Sequence, residues 1–228
     1  MKIIELPIEF EFNGEKQCIY PSLIIVNDEL TLVDTGYMNF LPLLEDAILK
    51  HGYEMKNLKN IIITHYDDDH IGALYDFKVK YPHVNIIASE IESNYINGDI
   101  KSERLVQAEG MLERMPNEEK EFGKWFIQQL KNIKHISVDE KVHNDQMILN
   151  GECQIVATPG HTSGHISLYF PNLDYVITGD AAVQENGELV IANPDFCLDI
   201  EKAEESLNKI KSLKAASYYC YHGGKLTV

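Results

Sequence analysis

Thr64-His65-Tyr66-Asp67-Asp68-Asp69-His70 is the stretch on which the reading of this chain turns. Asn60-Ile61-Ile62-Ile63 precedes it and reads as the end of a buried strand; Ile71-Gly72 follows and leads toward a helix. Five ionisable groups crowd into the six residues from His65 to His70. Side chains two apart in extended backbone point the same way, so His65, Asp67 and Asp69 are expected on one side. Adjacent carboxylates repel one another and resist desolvation, and a divalent cation relieves both problems. Imidazole mixed with carboxylate is the ligand set of zinc and of non-haem iron or manganese. The bland alternative is a solvated acidic turn with two incidental histidines.

Three later segments repeat the pattern. Thr158-Pro159-Gly160-His161-Thr162-Ser163-Gly164-His165 follows the strand-like run Gln154 to Ala157. Thr178-Gly179-Asp180 follows Tyr175-Val176-Ile177, and Tyr221-His222-Gly223-Gly224 follows Ser217-Tyr218-Tyr219-Cys220. Each sets a His or Asp just past a short β-rich run, where glycine lets the backbone approach a ligand. A lone histidine after a strand is more often structural than a ligand. The weight lies in four such segments in one chain.

With those residues in view, the chain resembles the metallo-β-lactamase-fold metal-dependent hydrolase superfamily. That family's pattern is His-x-His-x-Asp-His, a His after a Pro-Gly turn, a bridging Asp and a C-terminal His. His65, Asp69 and His70 match the first motif, His161 the third histidine, Asp180 the bridge and His222 the last histidine. Leu32-Val33-Asp34-Thr35-Gly36 looks like the N-terminal signature, whose Asp34 would support the metal ligands without touching the ion. His165 recurs in the Pro-Gly-His turn, and a supporting or packing role is expected for it too. The resemblance implies an αββα four-layer sandwich of α/β class and two divalent metal ions, zinc first, with iron or manganese as alternatives. His65, Asp67 and His161 would hold one ion, and Asp69, His70 and His222 the other, with Asp180 between them.

One position departs from the pattern. Asp67 stands where the family usually has its second histidine. A carboxylate there resembles the flavodiiron branch, which has Glu and binds two irons. Either Asp67 replaces imidazole as a ligand, or the first site is weakened and partly filled. Oxygen donors suit hard and borderline cations, which favours ligation. Two divalent ions, three carboxylates (Asp67, Asp69, Asp180) and one hydroxide sum to zero, where the usual set would leave one positive charge. A less electrophilic site follows.

At 228 residues the chain fits one domain. No run approaches the ~20 apolar residues that span a bilayer. Met1-Lys2-Ile3-Ile4-Glu5 carries an acid where a signal peptide would be apolar, so a cytoplasmic location is expected, with no membrane partner. Cys18, Cys153, Cys197 and Cys220 are widely spaced, which argues against a disulfide framework or a zinc knuckle. A net charge of −16, with no basic cluster, disfavours nucleic acid as a partner. A small-molecule substrate is expected instead.

Along the chain, residues 3–12 and 17–26 read as strands around the turn Asn13-Gly14-Glu15. Asn27-Asp28 begins a tight turn into Leu30 to Val33. Pro42 and Gly52 bracket a helix with an apolar face at Leu43, Leu44, Ala47 and Ile48. Val84 to Ala88 reads as a buried strand, and Asp199 as the cap of a last helix. Residues 90–135 break the alternation as two or three amphipathic helices separated by Pro116. This insert could lie across the metal site as a lid, with Trp125, Phe126 and its methionines as pocket candidates.

The expected activity is hydrolysis of a small carboxylic ester, thioester or lactone by a metal-bound hydroxide, with Asp69 moving the proton to the leaving group. A phosphodiesterase, a di-iron oxygen or nitric oxide reductase fed by a separate electron donor, and a non-catalytic metal-binding protein are the alternatives. No Gly-x-Ser-x-Gly nucleophile elbow occurs.

Overall fold

The computed structural model describes residues 1–12 and 14–228. The β-rich runs pair into two six-stranded sheets. In spatial order the first holds Lys2–Glu5, Ser22–Val26, Glu29–Val33, Leu58–Ile62, Asn85–Ser89 and Glu140–Val142. Its pairing turns from antiparallel to parallel at Glu29–Val33, with Val33 opposite Ile62 and Ile62 opposite Ile87. The second holds Met147–Ile148, Cys153–Ala157, Ile166–Phe170, Tyr175–Gly179, Ser217–Cys220 and Gly224–Thr227. Only Tyr175–Gly179 and Ser217–Cys220 run parallel there. The helices are α1 (Leu41–Lys50), α2 (Asp68–Ile71), α3 (Leu74–Lys80), α4 (Glu90–Ile96), α5 (Glu103–Arg114), α6 (Lys120–Asn132) and α7 (Ile200–Ser212).

Successive strand residues face opposite ways, and this sorts the core into layers. Leu32, Ile61 and Ile86 pack outward against Leu44 and Ile48 of α1 and Leu74 and Phe77 of α3. Their neighbours Val33, Ile62 and Ile87 face Ile155, Leu168 and Ile177 of the second sheet. Beyond that sheet, Val176, Tyr218 and Cys220 meet Ile210 of α7. Both sheets are buried on both faces, which is why their strands read as apolar runs. The result is the expected αββα sandwich.

Several local expectations change. The strands over 3–12 and 17–26 are each cut in two, at Pro7 and Pro21, because proline has no N–H for the ladder. The segments Ile8–Phe12 and Glu15–Ile19 leave the sheet as a separate hairpin. Of the expected turn, Asn13 lies outside the described residues, and Glu15 already belongs to a strand. Asn27 and Asp28 both adopt positive φ, 49° and 66°, as a tight hairpin turn requires. In α1 the buried residues are Leu41, Leu44 and Ile48, whereas Leu43 points to solvent. Asp199 does cap α7, accepting from the Lys202 amide at 3.1 Å.

The 90–135 region forms α4, α5 and α6, with Pro116 between the last two. Helices α5 and α6 share a small core of Ala108, Ile127 and Leu130. No helix among the described residues is long and apolar enough to cross a membrane.

Helix α7 docks on the loop that carries His161. The Gly160 carbonyl accepts from the Leu198 and Asp199 amides, both at 3.0 Å. A Cβ on Gly160 would lie 2.2 Å from the Ala203 nitrogen, and φ here is +135°. Gly160→Ala is therefore expected to destabilise by about 1–3 kcal/mol, as overpacking against backbone does. Gly110→Ala, with nothing within 4 Å in exposed helix α5, should stabilise by up to about 1 kcal/mol. Urea unfolding of the two variants tests both signs.

Candidate metal centre

The carboxyl ends of Leu58–Ile62, Tyr175–Gly179 and Ser217–Cys220 lead into His65, Asp180 and His222, so the marked residues converge at one edge of the sandwich. Two triads form there. Donor atoms of His65, His161 and Asp180 lie within 4.8 Å of one another, and so do those of Asp69, His70 and His222. Asp180 sits between them, with Oδ1 3.4 Å from His70 Nε2 and Oδ2 3.5 Å from the Nε2 atoms of His161 and His222. His65 and Asp67 leave extended backbone as expected. Asp69 does not follow by alternation, because α2 begins at Asp68 and delivers Asp69 and His70 from a helical turn.

His65 Nε2, His70 Nε2 and Asp180 Oδ1 are buried without a hydrogen-bond partner. Buried polar atoms are almost always paired, so three orphans facing one space need a common occupant. A divalent cation fits this donor set. Burial and the neighbouring His70 lower the pKa of His65, keeping the neutral imidazole that can donate a lone pair.

The supporting residues fix these atoms. Asp34 Oδ1 accepts from the Thr64 amide at 2.9 Å, and its Oδ2 lies 2.9 Å from His70 Nδ1. In that contact the carboxylate accepts from Nδ1–H, which leaves Nε2 aimed at the centre. Asp34 holds φ of +64°, an uncommon conformation for a residue with a side chain. Both ring nitrogens of His165 are used: Nδ1 lies 2.8 Å from Thr158 Oγ1, and Nε2 accepts from the Asp180 amide at 2.9 Å. Gly179 makes the second contact feasible, since a Cβ there would come 2.7 Å from His165 Nε2. Tyr221 stacks on His70 with ring centroids 3.9 Å apart and donates to the Asp69 carbonyl at 2.5 Å.

Asp67 stands apart from both triads. Its Oδ2 lies 3.0 Å from His161 Nε2 and 3.5 Å from His65 Nε2, within reach of the first triad's centre. The same carboxylate is gripped by Arg104 of α5, with Nη2 to Oδ2 at 2.6 Å and Nε to Oδ1 at 3.1 Å. Arg104 is 2% exposed. Burial pushes the Asp67 carboxyl up, but Arg104, His161 and His65 outweigh it and hold it well below the usual range. Charge counting from Asp67, Asp69 and Asp180 alone omits this guanidinium. With Arg104 included, the Asp67 side chain and its partner are together neutral, like the imidazole usual at that position.

Sequence reasoning missed Arg104 and Glu92. Arg104 is one of two arginines among 20 basic residues, a signal visible in composition but without a position in any metal motif. Glu92 of α4 is fully buried and ties two motifs together, accepting from the Tyr66 and Gly164 amides and from Thr162 Oγ1, each at 2.8 Å. Burial outweighs those three donors and pushes its carboxyl up to about 8.

Asp67→His would leave Arg104 buried without its partner, expected to cost about 3–5 kcal/mol. Asp67→His combined with Arg104→Met should recover most of that loss, as read by denaturant unfolding. Glu92 generates a pH dependence. Between pH 4.5 and about 8 the folded chain keeps a proton that the unfolded chain has released, so its contribution falls as pH rises through that window. Glu92→Gln has no such proton, and its Tm should change less between pH 5.5 and 8 than that of the parent.

Comparison with known proteins gives the family and the fold. The model of the metallo-beta-lactamase superfamily matches residues 19–222. "Probable metallo-hydrolase YybB" of Bacillus subtilis is 25% identical over 202 residues, 87% of this chain and 78% of that one. A hydroxyacylglutathione hydrolase of Enterobacter sp. is 26% identical over 194 residues, 85% of this chain and 56% of that one. The crystal structure of the metallo-beta-lactamase family protein TTHA1429 from Thermus thermophilus superposes with a TM-score of 0.70 at 18% identity, covering 99% of this chain and 74% of that one. The chain belongs to the metallo-beta-lactamase superfamily and is a metal-dependent hydrolase of that fold.

Proposed function

We propose that this protein is a dinuclear metal-dependent hydrolase of a small carboxylic ester, thioester or lactone. The observation that carries the reading is the set of buried, unpartnered atoms of His65, His70 and Asp180 facing one space between the two triads. His65, His161 and Asp180, with Asp67 Oδ2 beside them, would hold one ion. Asp69, His70 and His222 would hold the other, and Asp180 would touch both. Zinc suits the imidazoles, and the carboxylates also admit iron or manganese. Divalent ions held by these residues would supply an activated water and polarise the scissile carbonyl.

The chain's own residues do the rest. Asp34 and His165 keep His70 and Asp180 aimed, so little reorganisation accompanies the reaction. The Asp69 carboxylate, 3.2 Å from His222 Nε2, stands at the rim of the centre and is placed to carry a proton to the leaving oxygen or sulfur. The hydroxyacylglutathione hydrolase likeness supports a thioester or a related carbonyl ester as the bond type.

Metal analysis of the purified protein should approach two ions per chain. Chelators should abolish ester turnover, and divalent metal should restore it. Asp180→Ala should lose more than the ~10–100-fold that outer partners of a metal site cost, while His165→Asn should stay within that range. Chelator-insensitive turnover, or phosphodiester cleavage without any carbonyl-ester cleavage, would overturn the reading.

A further inference from the structure

A cavity of about 710 Å³ opens over the two triads, within the size range of small-molecule sites. Asp67, Asp69, His161, Asp180 and His222 form its floor. One wall is aromatic: Phe10 packs on Tyr37 and Phe40 at centroid distances of 5.4 and 5.1 Å. The opposite wall is aromatic too, built by Phe122, Trp125 and Phe126 of α6 with Phe196. Phe12 meets Trp125 at 5.7 Å, so the hairpin and the helical insert touch across the rim. Contrary to expectation, Met111 and Met115 of the insert do not line the cavity.

Two features of this cavity set its ligand chemistry. The first is exposed ring surface. Phe12, Phe122, Trp125 and Phe196 are 36–48% exposed and come from three separate segments, yet all four converge on the cavity. Scattered apolar side chains at a surface are ordinary, whereas a contiguous patch marks a binding site. The second is charge. Among the described residues Arg104 is the only lysine or arginine in the lining, and Asp67 occupies it. Glu11, Asp68 and Glu185 add acids to the walls. A carboxylate or phosphate on the substrate's distal end would be desolvated there without a counter-charge, which is costly.

We infer that the cavity takes an uncharged substrate with a medium-chain acyl or aryl-acyl group against the aromatic walls, and rejects substrates carrying a distal carboxylate, such as glutathione thioesters. This substrate class rests on the hydrolase reading above, but the cavity can be tested apart from it. Trp125 is the only tryptophan, so intrinsic fluorescence reports from the wall itself.

The experiment uses the protein as purified. Octanamide should shift Trp125 emission at concentrations at least tenfold below those needed by the same amide carrying a terminal carboxylate. In p-nitrophenyl esters, kcat/KM should rise at least about 50-fold from acetate to octanoate, well under the ~0.8 kcal/mol per methylene of full burial. Phe122→Ala should flatten that rise. Equal binding of the two amides, or no emission change with either, overturns the assignment. Selective octanamide binding without any ester turnover upholds the cavity's chemistry and rejects the hydrolase reading. Equal turnover of acetate and octanoate esters with no octanamide binding rejects the cavity's chemistry alone.

Discussion

Three buried atoms without partners govern this molecule: Nε2 of His65, Nε2 of His70 and Oδ1 of Asp180. Each unsatisfied buried polar atom costs about 1–3 kcal/mol. A fold keeps such a cluster only if other interactions hold it open. The contacts behind the triads serve that end. Asp34 grips Thr64 and His70, His165 grips the Asp180 amide, and Glu92 ties the Tyr66 loop to the Thr162–Gly164 loop. Each is a buried polar group satisfied from another segment. The sandwich brings the strand ends together, and these groups set where each donor atom stops.

The Arg104–Asp67 pair couples the helical insert to the same centre. Arg104 donates to both oxygens of Asp67, and its own amide donates to Tyr66 Oη at 3.1 Å. Helix α5 is thereby pinned to the strand-end loop by charge and by hydrogen bonding, not by apolar packing alone. A neutral histidine at position 67 would need no such partner. The carboxylate and the guanidinium therefore belong together, and removing either strands a buried charge. The insert's position over the cavity follows from this electrostatic tie, and α6 with its aromatic wall is carried along by its packing on α5.

The parts of this arrangement legible in the sequence are local. Ile62 and Ile87 mark buried strands because both neighbours along the chain are also apolar. Asp199 announced a helix start by its cap chemistry, and Asn27-Asp28 a turn by their tolerance of positive φ. The donor residues were legible because each follows such a strand within a few positions. Pro7 and Pro21 are equally visible, and each ends a strand that the apolar pattern alone would continue. Leu43 faces solvent because the first helical turn is set by where α1 docks, which no local pattern states. Arg104 and Glu92 lay beyond local reading for a deeper reason. Their partners are 37 and 26 to 72 residues away, and nothing about a single Arg or Glu on an amphipathic helix says that it turns inward.

The acidic character of the chain acquires a second meaning at the cavity. A net charge of −16 by itself speaks only of solubility and of poor affinity for phosphate backbones. At the centre the same excess is local: Asp67, Asp69 and Asp180 crowd the floor with Asp68 in the wall beside them, and burial together with Asp69 and Asp67 pushes the Asp68 carboxyl up to about 8. Divalent cations would offset that floor, whereas the aromatic walls carry no positive charge of their own, since the one guanidinium among the described lining residues is committed to Asp67. The two ends of a substrate therefore face opposite demands. The scissile end can be polar and gain from the ions, while the far end must be apolar and uncharged to gain from the rings. Such a division lets remote binding energy be drawn from apolar burial, which Phe12, Phe122, Trp125 and Phe196 leave available at the cavity rim.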